Sequence, residues 1–106
     1  MSGLLEVTEQ TFEQEVLNSK NVTVVDFWAP WCGYCMKLAP LLEQVSQEVP
    51  QAKIVKINAD ESEKIAKDYS VSGLPCILIF SNGQPQDRLV GAMPKSKIVA
   101  SIQKYL

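Results

Sequence analysis

Two cysteines three positions apart, in Cys32-Gly33-Tyr34-Cys35, are the residues of this chain best suited to chemistry. The segment follows a strand-like run and opens a stretch of helical periodicity, so Cys32 falls where a helix begins. Unpaired amides and the positive end of the helix dipole gather at such a position and stabilise a thiolate. Cys32 is therefore the expected nucleophile toward a disulfide. Cys35, one turn into the helix, can displace Cys32 from the resulting mixed disulfide and release a reduced substrate. Gly33 keeps the approach open, and the ring of Tyr34 faces either a partner or solvent. Two plainer uses of the pair stand beside this one. It could be a structural disulfide, or half of a zinc site, although the chain has no histidine and Cys76 would still leave a fourth ligand position empty.

The elements that must position the pair follow from the apolar pattern. Val22 to Trp28 is β-branched and aromatic, and too continuously apolar for a half-exposed strand; it reads as a central strand covered on both faces. Asp26 inside that strand is an anomaly that needs a reason. From Gly33 to Glu48, Met36, Ala39, Leu42 and Val45 recur at helical spacing, with Pro40 expected to kink the helix. Ala52 to Ile57 predicts a second strand, with Ile54 and Lys56 on one parity. Capping residues in Asn58 to Glu63 precede a short helix marked by Ile65, Ala66 and Tyr69.

Cys76 to Phe80 predicts another strand, Asn82-Gly83 a hairpin turn, and Arg88 to Val90 a returning edge strand. Lys95 to Leu106 closes the chain with an amphipathic helix, and Leu4 to Val7 with Phe12, Val16 and Leu17 opens it as a short strand and helix. The order βαβαβαββα predicts an α/β fold, a central mixed β-sheet flanked by helices on both faces. No internal repeat or linker interrupts it, and residues 1–106 read as a single domain.

Composition narrows the function classes. Hydrophobic residues at 46% and charged residues at 21% argue against a disordered or low-complexity chain. Ten Lys plus Arg against twelve Asp plus Glu leave a net charge of -2 and no basic block for nucleic acid. The apolar runs are strand-sized, which argues against a membrane span. Met1 to Gln10 is acidic and lacks a basic flank, so it does not read as a targeting segment. Three cysteines are too few for a disulfide scaffold and point to a reducing, cytoplasmic setting. No glycine-rich strand-to-helix fingerprint is present, so a bound dinucleotide cofactor is not expected.

Trp28-Ala29-Pro30-Trp31-Cys32-Gly33-Tyr34-Cys35 closely resembles the active-site segment of the thioredoxin family. The resemblance spans essentially the whole chain. It includes Asp26-Phe27 before the motif, Pro40 in the helix, Lys56 in the next strand, Gly73-Leu74-Pro75 before the fourth strand, and Gly83 and Gly91 afterwards. The family usually carries proline where this chain has Tyr34, a departure that bears on redox poise rather than on fold. Tyrosine there is also similar to some bacterial disulfide isomerases, which have a dimerisation domain for which 106 residues leave no room.

The resemblance implies a thioredoxin fold and a set of roles. Asp26 lies beneath Cys35 and manages its proton, with Lys56 as electrostatic partner. Desolvation raises a carboxyl pKa and suits it to accept a thiol proton, whereas a neighbouring ammonium favours its charged form. A purely structural Asp26–Lys56 ion pair is the alternative. Trp28 and Trp31 pack around the disulfide, Trp28 acting through positioning if it is a core residue. Pro75 is implied to be cis and to face Cys32, where an extended substrate adds its backbone like a strand. Gly73, Leu74, Gly91 and Ala92 form a low rim for protein substrates. Cys76 is outside the family motif and reads as an inert buried thiol, with a regulatory thiol or adventitious metal binding as alternatives.

The implied activity is a monomeric protein-disulfide reductase cycling between dithiol and disulfide at Cys32 and Cys35. Its partners are disulfide-containing client proteins and a thioredoxin reductase, either NADPH- and flavin-dependent or ferredoxin-dependent, while the chain itself binds no cofactor. A more oxidising isomerase or oxidase and a redox-inactive docking subunit are the other readings.

Overall fold

In chain order the elements are β1 (Leu5–Val7), a π-helical turn (Glu13–Leu17), β2 (Thr23–Trp28), α1 (Gly33–Glu48), β3 (Lys53–Asn58), α2 (Glu63–Asp68), β4 (Cys76–Ser81), β5 (Gln84–Val90) and α3 (Lys95–Gln103). This is a computed structural model that describes residues 4–106. The first three residues of the N-terminal segment read for targeting, and of the domain assigned to 1–106, lie outside the described residues.

The strands form one mixed sheet in the order β1-β3-β2-β4-β5, with β1/β3 and β2/β3 parallel and β2/β4 and β4/β5 antiparallel. β2 is in the middle and buried on both faces, as its continuous apolar run requires. Strand side chains alternate between faces, so each parity of β2 serves a different core. Val24 joins Leu38, Leu42 and Val45 of α1 and Ile98 and Ile102 of α3 on one face. Val25 and Phe27 join Phe12, Val16 and Ala66 on the other, where Phe12, Tyr69 and Phe80 meet edge-on or tilted at 5.4–5.9 Å between ring centroids. Removing each such side chain from water contributes about 1.5–3 kcal/mol, which is why the sheet stays sandwiched between helices.

Local expectations meet the structure with some corrections. The opening helix is a single π-helical turn, Glu13–Leu17, placed by Val16 in the core. α1 continues through Pro40 to Glu48; lacking an N–H, Pro40 leaves the Met36 carbonyl without its partner four residues on. β5 starts at Gln84 and so includes Pro85, which an edge strand accommodates, and a register shift at Ile79/Phe80 absorbs the irregularity. α3 stops at Gln103, leaving Leu106 exposed rather than on the apolar stripe.

The hairpin between β4 and β5 turns at Asn82 (φ 54°) and Gly83 (φ 76°), the paired left-handed geometry that an Asn-Gly turn supplies. Glycine is required at 83 twice over, since a Cβ there would also stand 2.8 Å from the Leu17 carbonyl oxygen. No helix of the described residues is long and apolar enough to cross a membrane.

Candidate active site

The C-terminal end of β2 delivers the chain into α1, and the cysteines sit at that junction. Cys32 is the N-cap of α1 in extended backbone, and its sulfur accepts the Cys35 backbone N–H at 3.2 Å. The Cys32 carbonyl then accepts from the Met36 N–H at 3.3 Å, so the first turn starts on Cys32 itself. The cysteines are joined as a disulfide with their Cα atoms 5.3 Å apart. Cys32 is 7% exposed and Cys35 1%, so Cys32 is the more accessible residue of the pair. Both pack with Ala29 in a small apolar cluster, against Trp28 and Leu74. Gly33 has open space where a Cβ would lie.

Behind the disulfide is a cavity of about 210 Å³ lined by Asp26, Trp28, Cys35, Met36, Ala39, Pro40, Glu43 and Lys56. Asp26 is buried, and its Oδ1 has no hydrogen-bond partner among the described residues. Burial pushes its carboxyl from 3.8 up to about 7; Lys56 opposes that rise and Glu6 adds to it. The Lys56 ammonium forms an ion pair with Glu6 at 3.7 Å and sits 5.3 Å from the Trp28 ring centroid, but makes no direct ion pair with Asp26. Glu6 also accepts the Trp28 indole N–H at 3.2 Å.

Two shallow depressions flank the cysteines. Trp31 and Leu74 line one with Ala59, Asp60 and Val71. Trp31 is 70% exposed, and its indole N–H donates to Asp60 Oδ2 at 2.8 Å, which holds a largely exposed ring at the rim. Tyr34, Pro75, Gly91 and Ala92 line the other with Lys37 and Met93. Tyr34 is 59% exposed, with the Lys37 ammonium 5.5 Å from its ring centroid. The Leu74–Pro75 bond is cis, and the Pro75 carbonyl accepts the Gly91 N–H at 2.9 Å. Gly91 has φ +84°, a left-handed backbone that suits glycine.

The structure thus gathers Cys32, Cys35, Asp26, Lys56, Trp28, Trp31, Leu74 and Pro75 around one sheet end. Gly73, next to Leu74 in the chain, lines a third depression with Cys76, Arg88 and Val90. Cys76 is a buried free thiol on the Phe27 face of the sheet, 3.7 Å from the Arg88 guanidinium, and burial pushes its thiol up. Among the described residues no group of three or more His, Cys, Asp or Glu side chains could hold a metal ion.

Sequence reasoning missed Glu6, Asp60 and Arg88. Each acts across strands or loops far apart in the chain, and only the pairing of β1 with β3 would have pointed to Glu6.

Comparison with known proteins agrees with this geometry. The thioredoxin family model matches residues 3–104. The chain is 42% identical over 107 residues to thioredoxin 1 of Nostoc sp. and 43% identical to thioredoxin 1 of Synechococcus elongatus, each alignment covering all of both chains. It is 41% identical over 101 residues to the chloroplastic M-type thioredoxin of Chlamydomonas reinhardtii, covering 94% of this chain and 72% of that one. With the cysteine pair at the strand-to-helix junction and full-length relatives at this identity, the chain belongs to the thioredoxin family and is a thiol-disulfide oxidoreductase that reduces protein disulfides.

Proposed function

We propose that Cys32 is the attacking thiol and Cys35 the resolving thiol of this reduction, with Asp26 as the base that serves Cys35. The Cys32 thiolate attacks one sulfur of a client disulfide, and the other client sulfur leaves as a thiolate. Cys35 gives its proton to the Asp26 carboxylate and attacks Cys32 Sγ. The second client sulfur departs as a thiolate, and two electrons have moved to the client. The observation that carries the assignment is the N-cap: Cys32 Sγ lies at the start of α1 with an amide donated to it, and Cys32 is the less buried residue of the pair.

Support for Asp26 is its location in the cavity that Cys35 also lines, together with a carboxyl raised to about 7, which divides it between acid and base forms near neutral pH. Lys56 tempers that rise from the neighbouring strand. Trp28 acts by positioning. Trp31, Gly33, Tyr34, Gly73, Leu74, Pro75, Gly91 and Ala92 form the surface on which an extended client segment rests, its backbone pairing beside Leu74 and Pro75.

Family membership implies disulfide-containing clients and a reductase partner. In the finer reading the chain works as a monomeric single domain, and a reducing cytoplasm keeps the pair in the dithiol form that this direction needs. Electrons come from a thioredoxin reductase, either a flavoprotein drawing on NADPH or a ferredoxin-dependent enzyme. The test is turnover of a protein disulfide by the purified chain with each reductase type. Turnover with one of them, lost in Cys32→Ser and converted to a trapped Cys32 adduct in Cys35→Ser, supports the assignment. Adducts formed through Cys76 overturn it.

A further inference from the structure

Three ionisable side chains share one row of the sheet. β1 pairs with β3 so that Glu6 lies opposite Lys56, and β2 pairs with β3 so that Asp26 lies opposite the same Lys56. Matched positions on adjacent strands project to one face, and this is the face that α1 covers. The charges run negative, positive, negative from the sheet edge inward. Exposure falls along the same line, from 39% for the Glu6 side chain to 9% for Lys56 and 2% for the Asp26 residue.

Glu6 uses its two oxygens on different groups. Oε1 stands 3.7 Å from Lys56 Nζ, and Oε2 accepts the Trp28 indole N–H at 3.2 Å. Lys56 and Trp28 are both walls of the cavity in which Asp26 sits, and they also touch each other, ammonium over ring. One carboxylate on the edge strand therefore restrains two of the groups nearest the buried one. The Lys56 ammonium stands between two carboxylates, ion-paired to Glu6 and acting on Asp26 without a direct pair.

We infer that Glu6 is a positioning residue for disulfide reduction, holding Lys56 and Trp28 at the outer end of the row so that Asp26 is left free to take the Cys35 proton. The inference rests on the reading of Asp26 as the base. Its structural content is the orphaned Asp26 Oδ1, since a lysine released from Glu6 could swing to that oxygen and satisfy it. The groups that face Asp26 are Lys56 from β3, Glu6 beyond it on β1, Cys35 and Glu43 from α1, and Trp28 on its own strand. Of these, Glu6 is the anion tied to Lys56. Removing its charge takes away a repulsion on Asp26 and releases an attraction toward it, and both effects favour the Asp26 carboxylate.

Glu6→Gln separates this from a mere tie between strands, because the amide oxygen can still accept the Trp28 N–H while the charge is gone. The Asp26 carboxyl would be followed by ¹³C NMR across pH in the oxidised protein. The decay of a mixed disulfide formed on Cys32 would be followed by stopped flow in wild type, Glu6→Gln, Asp26→Asn and the double variant. The Asp26 midpoint is expected to fall by about half a pH unit in Glu6→Gln. The acid limb of the decay profile should move down with it, and the Glu6 effect should vanish in the Asp26→Asn background. An Asp26 midpoint that stays in place or rises in Glu6→Gln, while Asp26→Asn still slows decay, overturns the role of Glu6 alone. Decay unaffected by Asp26→Asn overturns the base assignment itself and the inference with it.

Discussion

Asp26 on β2 and Cys76 on β4 are one register step apart, Asp26 pairing with Ile77 and Phe27 with Cys76, yet they face opposite sides of the sheet. Both are buried titratable groups whose proton affinity burial raises. On the α1 side, Asp26 borders a cavity of about 210 Å³ and keeps an oxygen without a partner among the described residues. On the other side, Cys76 packs with Phe27, Leu78 and Phe80 and lies against an Arg88 guanidinium that is itself bonded to the Tyr69 and Ser70 carbonyls. The difference teaches that residue type does not decide which buried group is poised to react. Both groups border open volume; an unsatisfied oxygen beside Cys35 keeps one ready for proton transfer, whereas a restrained cation against the sulfur and the lack of a second thiol beside it leave the other a core residue.

The widest separation between the two faces should appear in turnover. Cys32→Ser is expected to reduce protein-disulfide turnover to the uncatalysed background, because no thiolate remains at the helix start. Cys76→Ala should stay within about twofold of wild type, since it removes a small side chain and a weak contact with Arg88 and leaves the cysteine pair intact. A reductase-linked assay on both variants reads this directly, and collapse of turnover in Cys76→Ala would erase the contrast.

Stability should show the reverse. Phe80 is fully buried, with Tyr69 and Phe12 rings at 5.4 and 5.9 Å, so Phe80→Ala removes the centre of an aromatic cluster. A loss of about 3–5 kcal/mol in urea unfolding is expected, with turnover per folded molecule unchanged. A large fall in specific activity of the folded fraction would mean that the aromatic face also shapes the site.

Asp26 should oppose folding in a pH-dependent way. Its folded-state pKa, about 7, lies above the unfolded value of 3.8, so between those values the native state holds a proton that the unfolded chain releases. Stability of the wild type therefore declines as pH rises through that window and stays lowered above it. Asn at 26 does not titrate. The advantage of Asp26→Asn should grow from pH 4 to pH 8 by up to about 4 kcal/mol, measured by urea unfolding of the oxidised form. An advantage that is flat across this range would show that Asp26 titrates normally despite its burial.

Much of this arrangement is legible along the chain. The doubly covered β2 follows from an unbroken apolar run, the Asn82-Gly83 turn from its left-handed requirement, and the cysteine pair at a helix start from the change of period after Trp28. What escaped is information that lives between strands. Glu6 reads as a solvent-facing residue of a short edge strand until β1 is set beside β3. Asp60 becomes the anchor of Trp31 only once the loop after β3 returns to the cysteines, 29 residues on from the ring it holds. Pro85 marks the end of a strand by local rules, but the edge position of β5 leaves room for it. Periodicity reports which face a residue takes, and pairing decides what it meets there.

The smallest expected effect concerns the cysteine pair itself, where the α1 face meets solvent. Tyr34 is the second residue of α1, and its amide is among those of the first turn that have no acceptor within the helix. Its ring makes one contact of note, with the Lys37 ammonium at 5.5 Å, so the side chain is dispensable to the core. Proline fits the first turn of a helix without breaking it. Tyr34→Pro would nevertheless remove one of the first-turn amides whose dipoles favour a thiolate at the helix start, and the dithiol form is expected to lose more than the disulfide. The reduction potential should become more negative by about 30 mV, which corresponds to roughly 1.4 kcal/mol for a two-electron couple. Equilibration of both proteins in the same glutathione buffers, with acid quench and quantification of the two forms, gives the difference. A shift to more positive potential would show that the proline ring disfavours the disulfide more than the lost amide disfavours the thiolate. No shift would show that the two effects cancel or that the Tyr34 amide does not set the poise.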